Sequence, residues 1–371
     1  MNKTNTDGQC RWGIMSTAVI GRKNWQSIKN SGNGRVVAVA SRNFDTGKKY
    51  VEECQSTVPF EQPPRTIEGY AELLGQDDID AVYIPLPTGL RKEWVIKAAE
   101  AGKHVMCEKP CANNANDLQE MINTCQANGV QFMDGVMYMH TQRLAEMRKI
   151  LDDGTSVGQI RRIATQFSFN GGDEFQQDNI RTNSNLEPFG CLGDLGWYTI
   201  RFSLWAMNYE MPTSVVGRML RGHQRPNSPQ PVPMEFSGQL FFANGVSAVF
   251  YNSFVTAHQQ WANISGSLGQ LHLPDFVLPY ASNELKFSVT NSEFQVNGCN
   301  FSMAENRKTM MTDEAGDSTP NSQETNLFRK FSQIVLSGQL ESHWPEISLK
   351  TQRVMDGVMS SAEKDGQPVQ P

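Results

Sequence analysis

The stretch Ala101-Gly102-Lys103-His104-Val105-Met106-Cys107-Glu108-Lys109-Pro110 decides the fold of this chain. It predicts a helix that ends at Gly102, a buried strand over residues 103–107, and a lysine that precedes a proline. The carboxyl ends of strands in an open α/β sheet are where such folds bind ligands. Because Pro110 restricts the preceding residue to extended backbone, the ammonium of Lys109 is held in one direction.

Short apolar runs alternate with helical stretches around this segment, from Arg11 to Asp134. The periodicity predicts strands at 11–15, 35–41, 81–85, 104–107 and 130–134, and helices at 18–31, 45–54, 90–101 and 115–128. Gly102 and Gly129 stand just past two of these helices, where glycine commonly ends a helix. The alternation predicts an α/β domain with a doubly wound parallel sheet.

The second half of the chain is richer in strands. They are predicted at 161–169, 235–242, 247–254, 269–273, 285–290 and 293–296, with hairpin turns at Asn244-Gly245 and Asn291-Ser292. Helices are predicted at 191–207, 324–336 and 347–363, and surface loops at 221–233 and 304–323. Grouped strands with few helices predict an α+β domain built on a large antiparallel sheet.

Bulk composition excludes several classes of function. The 371 residues are 39% hydrophobic and 19% charged, with a net charge of −6, which disfavours nucleic-acid and anionic-membrane partners. We see no apolar run near the roughly 20 residues that span a bilayer, and no secretory signal in the polar first ten residues. Seven scattered cysteines without metal-like spacing predict reduced thiols, a cytoplasmic location and no metal.

A small-residue turn follows the first predicted strand, in the segment Gly13-Ile14-Met15-Ser16-Thr17-Ala18-Val19-Ile20-Gly21. Dinucleotide-binding turns carry G-x-G-x-x-G, and in that register the chain has Ser16, Ala18 and Gly21. Small residues let the backbone approach a pyrophosphate, and the helix N-terminus stabilises its charge. The turn therefore predicts cofactor contacts at Ser16, Thr17, Ala18, Val19 and Ile20, the alternative being an ordinary strand–helix turn.

Two residues at the end of the second strand bear on the choice of cofactor. NAD-specific enzymes usually place an acid there on the ribose 2′-hydroxyl, but this chain has Ser41 and Arg42. A guanidinium can pair with a 2′-phosphate, which a carboxylate would repel. The pair favours NADP(H), with NAD possible, although Arg42 as a solvated strand-end residue is the alternative.

A rigid segment follows the strand at 81–85. Pro85, Leu86 and Pro87 form a stiff wall suited to an apolar cofactor ring, or else only a rigid loop. Glu108 and Lys109 complete the predicted cofactor contacts. Arg91, two residues after Gly89, is given no catalytic role.

A second motif, Gly190-Cys191-Leu192-Gly193-Asp194-Leu195-Gly196-Trp197-Tyr198, resembles the glycine-rich turn with which Gfo/Idh/MocA oxidoreductases open a helix that carries Asp and, four residues on, His or Tyr. The resemblance makes Asp194 and Tyr198 the candidate catalytic residues. Asp194 and Tyr198 are four residues apart, so on a helix they share one face. Hydride transfer from an alcohol requires a base, and a neighbouring ammonium lowers a tyrosine pKa from its ordinary value near 10. We predict that Tyr198 moves the proton, Lys109 lowers its pKa and Asp194 positions the substrate. The alternative is a core helix with Asp194 satisfying a buried tyrosine.

Four further residues are weaker substrate-binding candidates. Tyr138 and His140 follow the last parallel strand and could face the substrate. Asp178 and Arg181 could close over it, although a surface ion pair between them is the simpler expectation.

The Glu108-Lys109-Pro110 triplet and the segment 193–198 resemble the Gfo/Idh/MocA oxidoreductase family. The match is to its tyrosine-bearing branch, which is similar to dimeric dihydrodiol dehydrogenases, xylose dehydrogenases and glucose-fructose oxidoreductase. The resemblance implies an N-terminal Rossmann domain and a C-terminal sheet whose open face forms a homodimer or homotetramer. It also implies NADP-dependent hydride exchange with a secondary alcohol or carbonyl of a sugar, sugar derivative or cyclic diol.

The expected organisation is a flexible N-terminus at 1–10, a dinucleotide-binding domain at 11–136, and a substrate-binding and oligomerisation domain at 137–371. Two other functions stay open. One is a redox-assisted glycosidase with tightly held NAD, which Ser41-Arg42 and the tyrosine in place of histidine disfavour. The other is a noncatalytic NADP-sensing protein, which the presence of Lys109 and Tyr198 disfavours.

Overall fold

A computed structural model of the protein describes residues 8–371. The predicted flexible segment 1–10 therefore falls mostly outside the described residues, and Cys10 already belongs to the first strand. The chain folds into two compact units. The first comprises residues up to His140, Asn185–Pro188 and Asp317–Gln352, and the second comprises Thr141–Ser184, Phe189–Gly316 and Arg353–Pro371. The boundaries 11–136 and 137–371 remain a prediction.

The first unit contains a six-stranded sheet in which every neighbouring pair is parallel. Its strands are β1 (Cys10–Met15), β2 (Gly34–Ser41), β3 (Arg65–Glu68), β4 (Ala81–Ile84), β5 (His104–Cys107) and β6 (Phe132–Asp134). Their order, β3-β2-β1-β4-β5-β6, is that of a doubly wound Rossmann sheet. The predicted N-terminal fold is confirmed, although the short strand β3 was not predicted.

The described residues form ten α-helices. They are α1 (Val19–Asn30), α2 (Phe44–Thr57), α3 (Tyr70–Leu74), α4 (Thr88–Glu100), α5 (Ala115–Ala127), α6 (Gln142–Asp152), α7 (Gly172–Asp178), α8 (Trp197–Ala206), α9 (Gln323–Ser337) and α10 (His343–Glu363). Asn43 and Asn114 cap α2 and α5 by accepting backbone N–H groups. Gly102 and Gly129 have φ values of 70° and 66°, as glycines that end helices do. Within residues 8–371 no helix combines the length and apolarity needed to cross a bilayer.

The second unit contains an eight-stranded sheet, ordered β14-β13-β12-β11-β7-β10-β9-β8. Its strands are β7 (Ile160–Asn170), β8 (Ser214–His223), β9 (Val232–Phe241), β10 (Ser247–Ser253), β11 (Val255–Gly266), β12 (Gln270–Leu273), β13 (Leu285–Asn297) and β14 (Asn300–Thr312). All neighbouring pairs are antiparallel except β7 and β10, which are parallel. The predicted large antiparallel sheet is thus confirmed in its main character.

One predicted hairpin turn is wrong. Strand β13 runs unbroken through Asn291-Ser292, and the turn lies at Gly298-Cys299, where Gly298 has a φ of 62°. Asn291 instead connects β13 to two neighbouring segments, because its Nδ2 donates to the carbonyls of Ser156 (2.9 Å) and Leu268 (2.8 Å). Two predicted surface loops are also partly wrong. Residues 304–312 of the predicted loop 304–323 belong to β14, and residues 221–223 of the predicted loop 221–233 belong to β8.

The β13–β14 hairpin carries an exposed apolar surface. Leu285, Phe287 and Val289 are buried on one face of β13, so alternation places the even-numbered residues on the opposite face. That face continues into Phe294 and Val296, which pair with Met303 and Phe301 of β14. These four side chains are 58–65% exposed, and the rings of Phe294 and Phe301 stack with centroids 5.8 Å apart. We call Phe294, Val296, Phe301 and Met303 the hairpin face.

Candidate active site

The turn after β1 holds a serine in a backbone conformation that favours glycine. Ser16 has a φ of 113° and stands where the first glycine of a dinucleotide fingerprint would be. Its N–H donates to the carbonyl of Ala40 (2.9 Å), and its Oγ accepts the N–H of Ala18 (3.3 Å). Strained backbone of this kind is concentrated at ligand-binding sites.

The start of α1 is suited to an anion. Its N-cap, Ala18, provides no side-chain hydrogen bond, its first turn contains no acid, and Val19 is 81% exposed. Gly21 is required by packing, because a Cβ there would lie 2.5 Å from Oη of Tyr50. A bare helix N-terminus and a glycine needed for close packing are what a pyrophosphate-binding turn requires.

The end of β2 places a positive charge at the edge of the sheet. Ser41 is buried and its Oγ accepts the N–H of Asn43 (3.3 Å), while Arg42 is exposed. Burial raises the pKa of the Tyr70 hydroxyl, and the positive charge of Arg42 opposes that rise. A guanidinium in this position fits a phosphate on the adenine ribose.

Glu108 and Lys109 follow β5 directly, at the carboxyl edge of the parallel sheet. Oε1 of Glu108 accepts from Tyr83 Oη (2.6 Å), which accepts from Asn24 Nδ2 (2.6 Å). Oε2 of Glu108 accepts the backbone N–H of Lys109 (3.2 Å), and the Lys109-Pro110 peptide bond is cis. Burial, followed by the charge of Glu108, raises the pKa of Tyr83 far above its ordinary value. Glu108 therefore anchors the backbone that carries Lys109.

The segment 85–87 connects β4 to α4. Pro85 and Leu86 are buried, so this part of the predicted wall is packed into the unit. The carbonyl of Leu86 accepts Nε of Arg91 (2.7 Å). Arg91, to which the sequence analysis assigns no catalytic role, is only 5% exposed.

Asp194 lies in a π-helical turn, Leu192–Gly196, which leads into α8. The predicted α-helical face is thus altered, since Asp194 precedes the regular helix that carries Tyr198. π-helical turns are frequent at functional sites. Oδ2 of Asp194 lies 2.8 Å from Nε of Arg181. The structure therefore brings two predicted site residues together and pairs Arg181 with Asp194 rather than with Asp178.

Tyr198 is 7% exposed, and its ring packs edge-on against Phe167 at a centroid distance of 5.8 Å. The same Phe167 ring contacts His258 at 6.4 Å. Both contacts lie within the second unit. The sequence did not single out Phe167 or His258, because only strand register places these side chains beside α8.

The weaker substrate candidates occupy different surroundings. Tyr138 is 1% exposed, and Asp178 is exposed at the end of α7. The ring of His140 stacks on Trp344 with centroids 4.6 Å apart, and its carbonyl accepts Nδ2 of Asn326 (3.3 Å). Their contacts to substrate remain a prediction. Among residues 8–371, no three His, Cys, Asp or Glu side chains cluster as metal ligands would.

Two family models match this chain in succession. Residues 10–136 match the oxidoreductase family with an NAD-binding Rossmann fold, and residues 144–272 match the GFO/IDH/MocA C-terminal domain. The chain belongs to the Gfo/Idh/MocA oxidoreductase family. The resemblance inferred from Glu108-Lys109-Pro110 and segment 193–198 is confirmed, and with it an oxidoreductase built on a nicotinamide-dinucleotide fold.

Named relatives of this Gfo/Idh/MocA protein act on sugars. It is 30% identical to a dTDP-3,4-didehydro-2,6-dideoxy-alpha-D-glucose 3-reductase from Actinomadura kijaniata, over 88% of this chain and 87% of that protein. It is also 30% identical to D-xylose 1-dehydrogenase (NADP(+)) 2 from Haloferax volcanii, over 75% and 80%. A solved 3-ketoreductase from Actinomadura kijaniata, in complex with NADP and TDP-benzene, superposes with a TM-score of 0.77 at 25% identity, covering 95% and 98%.

Proposed function

We propose that this protein is an NADP(H)-dependent oxidoreductase that transfers a hydride between the nicotinamide and a secondary alcohol or carbonyl. The proposed substrates are sugars, sugar derivatives or cyclic diols. The observation that carries the proposal is the placement of Lys109 directly after β5, with its backbone anchored by Glu108. That edge of a Rossmann sheet is where a dinucleotide and its substrate bind.

The residues of the first unit fit a bound dinucleotide. Ser16, the start of α1 and Gly21 would hold its pyrophosphate, and Arg42 would pair with the 2′-phosphate of NADP. The Haloferax volcanii relative is named for NADP, which supports this choice. When bound, the cofactor supplies or accepts the hydride.

We propose that the protein's own side chains transfer the proton that accompanies the hydride. We assign Tyr198 the role of proton donor or acceptor, and Lys109 that of stabilising its phenolate and the substrate oxygen. Asp194, held by Arg181, positions the substrate. Tyr138, His140, Asp178 and Arg181 are proposed as further substrate contacts.

The proposal is tested by assaying aldoses, polyols and ketosugars with NADP⁺ or NADPH in the wild-type protein. On a substrate that turns over, Lys109→Ala and Tyr198→Phe should each lower kcat about 100-fold or more, within the range of general acid–base catalysis. NADP(H) affinity should change little, and the exposed Tyr280→Phe serves as a matched control. Near-normal turnover in both variants would contradict the assigned roles.

A double-variant cycle tests whether Lys109 and Tyr198 act as a unit. If they do, the combined variant should lose scarcely more activity than the worse single variant, because residues acting together have non-additive effects. Fully multiplicative losses would show that the two side chains act independently.

Product analysis separates the alternatives. A dehydrogenase accumulates NADPH in proportion to oxidised substrate, whereas a redox-assisted glycosidase would recycle a tightly held NAD and release a cleaved product. A noncatalytic sensor would bind NADP(H) tightly and turn over none of the panel.

We also propose that the protein forms a homodimer or homotetramer through the open face of the eight-stranded sheet. The hairpin face supports this, since contiguous exposed apolar residues mark interaction surfaces. The seven free cysteines support a reducing compartment such as the cytoplasm.

A further inference from the structure

Arg91 of α4 is the centre of a buried polar network inside the first unit. Its Nε donates to the carbonyl of Leu86 (2.7 Å), and its Nη1 donates to Oγ1 of Thr88 (2.9 Å) and to the carbonyl of Pro110. Its Nη2 lies 4.0 Å from Oε1 of Glu187. The guanidinium thus reaches three separate stretches of chain from one position.

A cation is costly at this place unless something compensates it. Arg91 is the fourth residue of α4, and its side chain points back to the positive end of the helix. Glu187 provides the compensation. Its carboxylate accepts the N–H of Thr88 (3.0 Å) and the hydroxyl of Thr88 (2.6 Å), and it is only 9% exposed. Glu187 therefore caps a helix whose N-cap residue, Pro87, makes no side-chain cap.

Both backbone carbonyls that accept hydrogen bonds from Arg91 belong to predicted site segments. Leu86 lies in the wall 85–87, and the carbonyl of Pro110 comes one residue after Lys109. A guanidinium is planar and holds its donors in a fixed fork, so it fixes the distance between its acceptors. One rigid group consequently ties the backbone of the wall to the backbone that carries Lys109.

We propose that Arg91 is a positioning residue that fixes the Lys109–Pro110 turn against the wall formed by residues 85–87. Its effect on turnover rests on the function proposed above, because that function makes Lys109 catalytic. Arg91 acts through this backbone rather than by touching substrate, and Glu187 is its counter-charge.

The test uses Arg91→Lys in the full-length protein. A lysine keeps the positive charge but cannot span the carbonyls of Leu86 and Pro110 together. We expect kcat to fall about 10- to 100-fold, as for other supporting residues, with little change in NADP(H) affinity or sugar KM. In the direction of alcohol oxidation, the acidic limb of the kcat–pH profile should move to higher pH, because the ammonium of Lys109 is held less firmly near Tyr198, the proposed base.

A second readout does not depend on activity. Amide hydrogen exchange in the peptide 106–114 should become faster in Arg91→Lys than in the wild-type protein, since the tie to Pro110 is lost. Arg143→Lys is the matched control. Arg143 is 1% exposed and pairs with Asp275 in the second unit, so it reports the general effect of weakening a buried arginine.

The outcomes separate the two proposals. Unchanged exchange in 106–114, or exchange changed equally by Arg143→Lys, overturns the positioning role whether or not the enzyme is active. Faster exchange that is confined to Arg91→Lys supports the link between Arg91 and the Pro110 carbonyl. This result would stand even if the wild-type protein turned over no substrate and the proposed function were refuted. Faster exchange with undiminished kcat overturns the claim that the tie serves turnover.

Discussion

The guanidinium of Arg181 and the carboxylate of Asp194 form an ion pair, with Nε and Oδ2 2.8 Å apart. The arginine side chain is 40% exposed and the aspartate side chain 14%, so water screens the charges of this pair in part. Arg181 follows α7 and Asp194 lies in the π-helical turn before α8, so the pair joins two segments of the second unit.

Arg181→Ala should therefore affect activity more than stability. We expect kcat/KM for the sugar to fall about tenfold, because a supporting partner of Asp194 is lost, while a half-exposed pair contributes only about 0.2–1 kcal/mol to folding. Arg65→Ala removes a pair with Asp78 in which the arginine is about as exposed, at 41%, and it should leave kcat/KM unchanged. Steady-state kinetics and urea denaturation of both variants check this, and equal losses of activity would contradict it.

Gly21→Ala should destabilise the first unit. A Cβ at this position would meet Oη of Tyr50 at 2.5 Å, and overpacking of this kind costs about 1–3 kcal/mol. Adding Tyr50→Phe should recover much of the loss, because the next ring atom, Cζ, is 3.6 Å away. Denaturant midpoints of the single and double variants measure the effect. If Gly21→Ala were as stable as wild type, the packing role of this glycine would be wrong.

Arg42→Ala should weaken NADP binding while sparing NAD. Loss of one charge-assisted hydrogen bond costs about 1.5–3 kcal/mol, which corresponds to roughly a 10- to 100-fold rise in Kd. Lys48→Ala is the control, since Lys48 is an exposed cation on α2. Calorimetric titration with both cofactors provides the measurement, and equal weakening of NAD and NADP would refute the assigned role.

His104 should make folding sensitive to acid. Burial lowers its pKa to about 4, and its Nδ1 accepts the N–H of Gln131 (2.9 Å), which requires that nitrogen to be unprotonated. The unfolded chain has a histidine pKa near 6.5, so the unfolded state binds the proton more tightly. This contribution is complete above about pH 6.5 and is lost as pH falls towards 4.

Unfolding free energies of wild type and His104→Gln between pH 7 and pH 4.5 test this assignment. The wild-type curve should fall more steeply with acid, at most by about 1.4 kcal/mol per pH unit for one such group. Parallel curves would show that His104 does not cause the acid sensitivity.

Oligomer formation should depend on the hairpin face. Replacing Phe294 and Phe301 with serine removes two large apolar side chains that are 60% and 65% exposed, and should lower the oligomer's dissociation temperature or its mass in solution. Gln295→Ala changes the opposite face of the same strand and is the control. Sedimentation velocity gives the mass, and an unaltered oligomer in the double serine variant would place the interface elsewhere.

The parallel domain was predictable because its local signals agree. Apolar runs such as 104–107 are bounded by Gly102 and Pro110, and burial on both faces leaves such runs continuous. The position of Lys109 at the sheet edge follows from that pattern alone. The place of Gly21 in the dinucleotide-binding turn could also be predicted from the spacing, although its contact with Tyr50 could not.

Other features depend on contacts between distant parts of the chain. Asn291 reads as a turn residue, yet it bonds to carbonyls at 156 and 268, which local sequence does not encode. The parallel pairing of β7 with β10 joins residues that are 85 positions apart, such as Arg162 and Ser247. Glu187 is 99 residues from Thr88, so the network around Arg91 has no local signature.

The turn of the β13–β14 hairpin contains a natural site for a fluorescent label. Cys299 lies in that turn and is exposed, whereas the other six cysteines are buried. A thiol-reactive dye added to the native protein would therefore attach to Cys299, whereas the protein unfolded in urea would react at all seven cysteines. A probe on Cys299 sits next to the hairpin face, so its fluorescence would report subunit association without any cysteine having to be engineered.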